Sequence, residues 1–220
     1  MGFLSSLFNR GHHFRDHIYA YRRMKLQALV GAANEALLEG VYPLIVCHFN
    51  AHLDEAIDLF KSMKLSHEVL NYLDSTSLNA ADRRVAKREI GIVHSKHFPK
   101  PMGGVARQTQ ASPIRILLFE HHPTLKPDEK VLGADSWIPA PVTYHCYTSL
   151  EDIFLAPFGA ERCRGLGLFA MNHDEDDLNA GSKLLESSMR NVPKQLEKRL
   201  QGPLVAADSP EEWMARNHLL

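Results

Sequence analysis

"VYPLIVCHF", Val41 to Phe49, is an apolar run of strand length between Gly40 and Asn50, and its reading decides the fold. A strand with one wet face alternates apolar and polar residues. A run that is apolar almost throughout belongs to a strand buried on both faces, as in a parallel sheet covered by helices. "NAHLDEAIDLFKSMK" follows at once. Leu53, Ala56, Ile57, Phe60 and Met63 share one helical face, and Asn50 is placed to cap the helix. Strand feeding directly into amphipathic helix is half of a βαβ unit.

The same alternation continues outward. "SHEVLNYL" reads as a second strand, "SLNAADRRVAKRE" as a helix, "IGIVHS" as a third strand, "IRILLFE" as a fourth and "PVTYHCYT" as a fifth. Upstream, Ile18, Leu26, Leu29, Val30, Ala33, Leu37 and Leu38 recur at helical spacing, which predicts one helix over Arg15–Glu39 ended by Gly40. Lys96 to Pro113, rich in Pro, Gly and Gln, reads as a long loop. Downstream a helix is expected from Ser149, an acidic break at Asp174–Asp177, a long helix to about Gln201 and a frayed end after Pro203. These elements predict an α/β fold: a parallel sheet of five strands with helices on both faces and a helical C-terminal extension.

The composition narrows the function classes. The 220 residues are 45% hydrophobic and 23% charged, with a net charge of −1 and a pI near 6.9. That balance gives no general electrostatic case for nucleic acid, and none is expected as partner. Cys47, Cys146 and Cys163 form no CxxC pair or metal-type spacing, which fits a reducing, cytoplasmic setting. No apolar run approaches the roughly 18 residues of a membrane span. Gly2 and Ser6 fit a loose myristoylation pattern. Phe3, Leu4, Leu7 and Phe8 beside Arg10, Arg15, Arg22 and Arg23 suit either peripheral contact with the inner face of a membrane through residues 3–23 or packing back onto the domain.

Motifs for chemistry are sparse. There is no GxxxxGK[ST], GxGxxG or GxSxG, so no phosphate cradle or esterase nucleophile is identified and no cofactor is expected. "MGGV" at Met102–Val105 has no helix behind it. Cys163 lies between Arg162 and Arg164, a setting that lowers a thiol pKa, but no histidine is near it in sequence. The histidines, thirteen in all, offer metal ligands. His48 and His52 sit four apart at a strand–helix junction, and His121–His122 follow another strand end. A metal-dependent enzyme or zinc-binding protein using His48, His52, His121 and His122 is one reading; polar residues capping a helix is the other.

The order of the pieces resembles the second motor domain of SecA, the bacterial preprotein translocase ATPase. Tyr21–Asn71 is similar to that family's helix, "G-x-P-V-L-V-G-T" strand, helix and "H-x-V-L-N" strand. "IRILLFEHHPTL" parallels the strand ending "T-E-R-H-E-S". "YTSLEDIFLAPFGAERCRGL", Tyr147–Leu166, parallels "Y-L-S-L-E-D-D-L…F-G-S-(D/E)-R-I", and "SSMRNVPKQLE" stands where the family has a long helix. The resemblance covers about 20–200 and implies a RecA-like domain over 15–147. An N-terminal segment precedes it (1–14), and a helical extension (148–202) and a tail (203–220) follow. The departures matter more. The family's "Q-x-x-G-R-x-G-R-Q-G" carries arginines that reach the ATP γ-phosphate. Counted back from Ser149 without gaps, they fall on Ala134 and Trp137, and the glutamine falls on Lys130. Neither replacement can contact phosphate as a guanidinium does, and losing such an arginine costs about 10³–10⁵-fold in turnover. The loop after "IGIVHS" lacks the family's "N-M-A-G-R-G-T-D", and the first motor domain is not present. The resemblance therefore implies a non-catalytic adaptor or accessory protein near protein secretion or a membrane, with no catalytic residues and an unidentified protein partner.

Its binding face is expected at the carboxyl ends of the strands, around Lys96–Pro113 and Gly133–Pro139, with Lys96, His97, Met102, Trp137 and Ile138 as contact residues. Trp137 reads equally as an exposed anchor or as a ring folded inward to fill space left by lost nucleotide.

Overall fold

The computed structural model describes residues 14–73, 81–99, 112–138, 140–158 and 191–220. Within them six strands form one all-parallel sheet: β1 (Arg15–Tyr19), β2 (Tyr42–Cys47), β3 (His67–Leu70), β4 (Ile90–His94), β5 (Ile114–Leu118) and β6 (Val142–Ser149), in the spatial order β1-β6-β5-β2-β4-β3. The architecture is the expected α/β one, a parallel sheet with helices on both faces. Helices α1 (Arg22–Leu38) and α2 (Asn50–Ser62) cover one face; α3 (Ala81–Ala86) and α4 (Leu125–Leu132) cover the other.

The central strand shows why the sequence folds this way. All six residues of β2 are buried. Tyr42, Leu44 and Val46 join the cluster under α3 and α4, while Ile45 and Cys47 join the one under α1 and α2. In β4, Gly91 lies so close to the Tyr42 ring that an added Cβ would collide with its hydroxyl. Gly40 ends α1 as expected, at φ +74, with the N–H of Val41 donating to the carbonyl of Ala36 and that of Gly40 to Leu37. This is the left-handed closure that glycine permits.

Three expectations are corrected. Residues 15–19 are not the start of α1 but a parallel edge strand, paired residue for residue with His145–Ser149. Its inward positions include the polar Asp16, so the strand alternation is masked, and Ile18 fits a helical count by accident. No helix starts at Ser149, because β6 runs through it. The Asp152 carboxylate then accepts from both the N–H and the hydroxyl of Ser149, and a short 3-10 helix, Ile153–Phe158, follows. The end after Pro203 is not frayed. It carries α5 (Pro210–Arg216), capped by the Ser209 hydroxyl, which accepts from the N–H of Glu212. Trp213, Met214 and Leu219 pack with Ile18, Phe49, Leu150, Phe154 and residues of the helical stretch 191–197. No helix among the described residues is long and apolar enough to cross a membrane. The acidic break, Cys163 and the part of the SLED-like segment beyond Phe158 lie outside the described residues.

Candidate functional site

β2 leads through α2 to β3 on one side, whereas β5 leads through α4 to β6 on the other. The chain thus reverses direction across the sheet between β2 and β5. A crevice outside the carboxyl ends of such a pair is where open α/β sheets hold ligands. His48 and Phe49 leave β2 at this point, and Glu120, His121 and His122 leave β5.

The chain's own C-terminal segment fills the crevice. The first turn of α2 presents unpaired N–H groups, normally a place for an anion. Here the N–H of Ala51 donates to the backbone carbonyl of Asp208 at 2.9 Å, and the Asn50 amide donates to the Asp208 carboxylate. Asn50 therefore does not cap α2 as expected; Phe49 occupies the cap position without a side-chain bond. Phe49 stacks on His122 with centroids 5.2 Å apart, and Trp213 meets His122 edge-on at 5.3 Å. The turn His48–Asn50 has no glycine and two of its three side chains are buried.

Beneath this cover lie two charged networks. In the first, the fully buried Lys25 ammonium donates to Glu120 Oε2 (2.8 Å) and to both Asp152 oxygens (2.9 and 3.1 Å). Arg22 donates to Glu55 and to Asp152. Burial alone would lower Lys25, but Asp152 and Glu120 override it and hold the ammonium above its ordinary value. Burial and the nearby Glu120 push Asp152 up. His52 points inward against Phe119, its Nε2 3.6 Å from Glu120. Burial, with Lys25 and Arg22, drives it down to about 3, so it stays neutral.

In the second network His121 sits between two carboxylates, its Nδ1 2.6 Å from Asp128 Oδ2 and its Nε2 2.9 Å from Asp16 Oδ1. Asp128 also accepts the N–H of His122 at 3.1 Å. It lies 2.8 Å from His48 Nε2, a contact out of line for a hydrogen bond. His48 Nδ1 is 2.8 Å from the Ser95 hydroxyl. Burial opposes the charged imidazole of His121, yet Cys146 and Asp128 hold it well above its usual value. Burial raises the Cys146 thiol to about 11.

The expected metal set does not converge. His48 is tied to Ser95, His52 faces Glu120, and His122 accepts the Thr124 N–H at 3.0 Å on its Nδ1. Only His121 of the four belongs to a described cluster with metal-type spacing, together with Asp16 and Cys146. The expected contact residues divide as well. Trp137 is 4% exposed and Ile138 2%, both in the core, with Phe98 edge-on to Trp137 at 5.9 Å. Trp137 has thus taken the inward placement and is no exposed anchor. Lys96 is exposed, and its carbonyl accepts from Lys130; His97 is half-buried. Met102 lies outside the described residues.

Sequence reading missed Arg22, Lys25, Asp16, Asp128, Cys146 and Asp152 as partners. One signal was there: Lys25 lies one turn before Leu29, on the apolar stripe of α1, where a cation demands a buried counter-charge.

No protein-family model matches the chain, and no curated protein is similar to it. Among solved structures it is similar to the crystal structure of the C-terminal part of the Fun30 ATPase domain. The TM-score is 0.41 at 12% identity, over 80% of this chain and 54% of that one. The chain thus spans about half the length of that structure.

Proposed function

We propose that this protein is a non-catalytic RecA-like domain that works through protein–protein contacts as an adaptor or accessory protein, with kinship to the second motor domain of SecA. The observation that carries the reading is the closed crevice. Asp208 takes the Ala51 N–H at the start of α2, and Trp213 and Phe49 pack on His122 at the strand ends, so the place where a nucleotide would sit is held by the chain itself. Two further features support it. The positions that gap-free counting equates with the motor arginines are Ala134 and Trp137, both buried in the core. Two cations at the strand ends, Arg22 and Lys25, are already bonded to carboxylates.

The test has two arms. Purified protein is expected to show no saturable binding of a fluorescent ATP analogue and no ATP hydrolysis above background. Turnover above about 0.01 s⁻¹, a hundredth of the low end of phosphoryl-transfer rates, that survives a further purification step would overturn the reading. In-cell cross-linking in the native host is expected to capture a defined protein partner, enriched in the membrane or secretion fraction if the SecA kinship extends to function.

A further inference from the structure

We propose that Asp16, His121 and Cys146 form a binding site for zinc or a similar borderline-soft divalent cation, with Asp128 as the outer partner that orients the histidine. The proposal goes beyond the adaptor reading and does not depend on it.

The three residues come from three strands. Asp16 on β1 and Cys146 on β6 are register partners, so their side chains leave the sheet on the same face. His121 reaches them from the end of β5. One ligand atom from each lies within 4.8 Å of the other two. A tetrahedral zinc with bonds of about 2.0–2.3 Å needs its ligand atoms roughly 3.3–3.8 Å apart. The cluster thus needs small side-chain movements, among them a widening of the 2.9 Å contact between His121 Nε2 and Asp16 Oδ1.

The donor chemistry fits. A thiolate, an imidazole nitrogen and a carboxylate oxygen are all zinc ligands, whereas magnesium and calcium prefer oxygen throughout. A ligating histidine commonly gives its second ring N–H to a carboxylate, which fixes its tautomer and direction. His121 does this before any metal is placed: Nδ1 meets Asp128 at 2.6 Å, leaving Nε2 aimed at Asp16. Asp128 is in turn held by the His122 N–H. Cys146 is wholly buried, its sulfur 3.9 Å from the Thr148 hydroxyl and within reach of His121. Three protein ligands leave a fourth position for water, and the 13% exposure of the His121 side chain gives a way in. Bound there, the ion would tie the five-residue edge strand β1 to β5 and β6, strengthening a strand paired on one side only.

The competing arrangement is a proton in place of the metal, with His121 charged between two carboxylates. The experiment separates them. Tag-free full-length protein is stripped with chelator, given one equivalent of zinc or cobalt(II), and passed through gel filtration. One metal per chain is expected by elemental analysis, with a near-ultraviolet thiolate-to-cobalt charge-transfer band and a rise in Tm. Cys146→Ser should abolish the band, and the isosteric Asp16→Asn should weaken affinity while keeping the circular dichroism of the parent. Asp128→Asn should keep the band and weaken affinity by about 10–100-fold. A parent protein that retains no metal, or an Asp16→Asn variant that folds and binds as tightly as the parent, overturns the site. Neither result bears on ATP turnover or partner capture, so the two readings fail separately.

Discussion

Replacing Lys25 with methionine should destabilise the fold far more than its size suggests. Methionine matches the aliphatic stem, so packing changes little. What is lost is the cation between Glu120 and Asp152, each within 3.1 Å of the ammonium and nearly sealed from water. Removing one partner of a buried ion pair costs about 3–5 kcal/mol, because the remaining charge stays buried without compensation. Arg22 lies 3.2 Å from Asp152 and 3.6 Å from Glu120 but is a third exposed, so it offsets part of the loss. The lower end, about 3 kcal/mol, is expected, which for a chain of this size is a fall in Tm of roughly 6–12 °C. The deficit should depend on pH with a defined sign. Without Lys25 the two carboxylates bind protons more tightly in the folded state than in the unfolded one. A group with a raised folded pKa favours the fold at low pH and loses that contribution as pH rises through the folded pKa. The variant should therefore be closest to the parent near pH 5 and furthest from it at pH 7–8. Restoring neutrality with Lys25→Met, Glu120→Gln and Asp152→Asn together should bring stability back to within about 1 kcal/mol of the parent, since a neutral set removes the buried charge. Guanidinium denaturation followed by circular dichroism at several pH values reads all of this. A single-variant loss below about 1 kcal/mol at pH 7, or a triple variant no better than the single, refutes the argument.

Three further outcomes follow from named contacts. Trp213→Ala removes a side chain that is 3% exposed and covers His122; a loss of about 3–5 kcal/mol is expected by chemical denaturation, with no gain of ATP binding by fluorescence titration. Gly91→Ala puts a methyl group into the Tyr42 ring, and overpacking of this kind costs about 1–3 kcal/mol, seen as a lower denaturant midpoint at unchanged slope. His52 is buried neutral with its pKa lowered to about 3. The unfolded chain therefore takes up a proton there below about pH 6.5 that the folded chain refuses. Its share of stability is present above that pH and is lost as pH falls toward 3, at up to about 1.4 kcal/mol per pH unit. His52→Phe should flatten the slope of stability against pH by that share, and an unchanged slope would refute the assignment.

The elements that sequence reading placed correctly are those whose burial is total. β2, β4 and β5 are apolar because both faces of the sheet are covered, and such runs announce themselves. β1 was hidden because the polar Asp16 holds one of its inward positions. The end of the chain was legible in principle. Ser209-Pro210-Glu211-Glu212 carries a capping serine, a proline at the first helical position and acid in the first turn, yet the expectation after Pro203 is a frayed end. The site was less legible for a physical reason. Asp16 and Cys146 meet only because β1 pairs with β6, and Lys25 finds Asp152 across 127 positions. Strand order decides such meetings, and no local pattern encodes strand order. The strand-end histidines were visible one at a time, but which of them converge was not.

The charge at the strand ends links the two proposals. Among the described residues the carboxylates there include Asp16, Glu55, Glu120, Asp128 and Asp152; of the cations, Arg22 and Lys25 lie in the network of Glu55, Glu120 and Asp152, while Lys96 and Lys130 stand at the end of β4. Asp16 and Asp128 both contact His121, and Asp128 also lies 2.8 Å from His48. A triphosphate brought to the β1 side of this edge would meet Asp16, Glu120, Asp128 and Asp152, and at the start of α2 it would meet Asp208, which accepts the Ala51 N–H. A divalent cation would meet the reverse: two carboxylates, an imidazole held in a ligating orientation and a buried thiol. In a motor domain these strand ends must open and close around a charged ligand. Here their charges are satisfied internally, and the segment that covers them is anchored by Trp213, Met214 and Leu219. On the adaptor reading proposed above, the work of such a fold falls to the outer surface it presents.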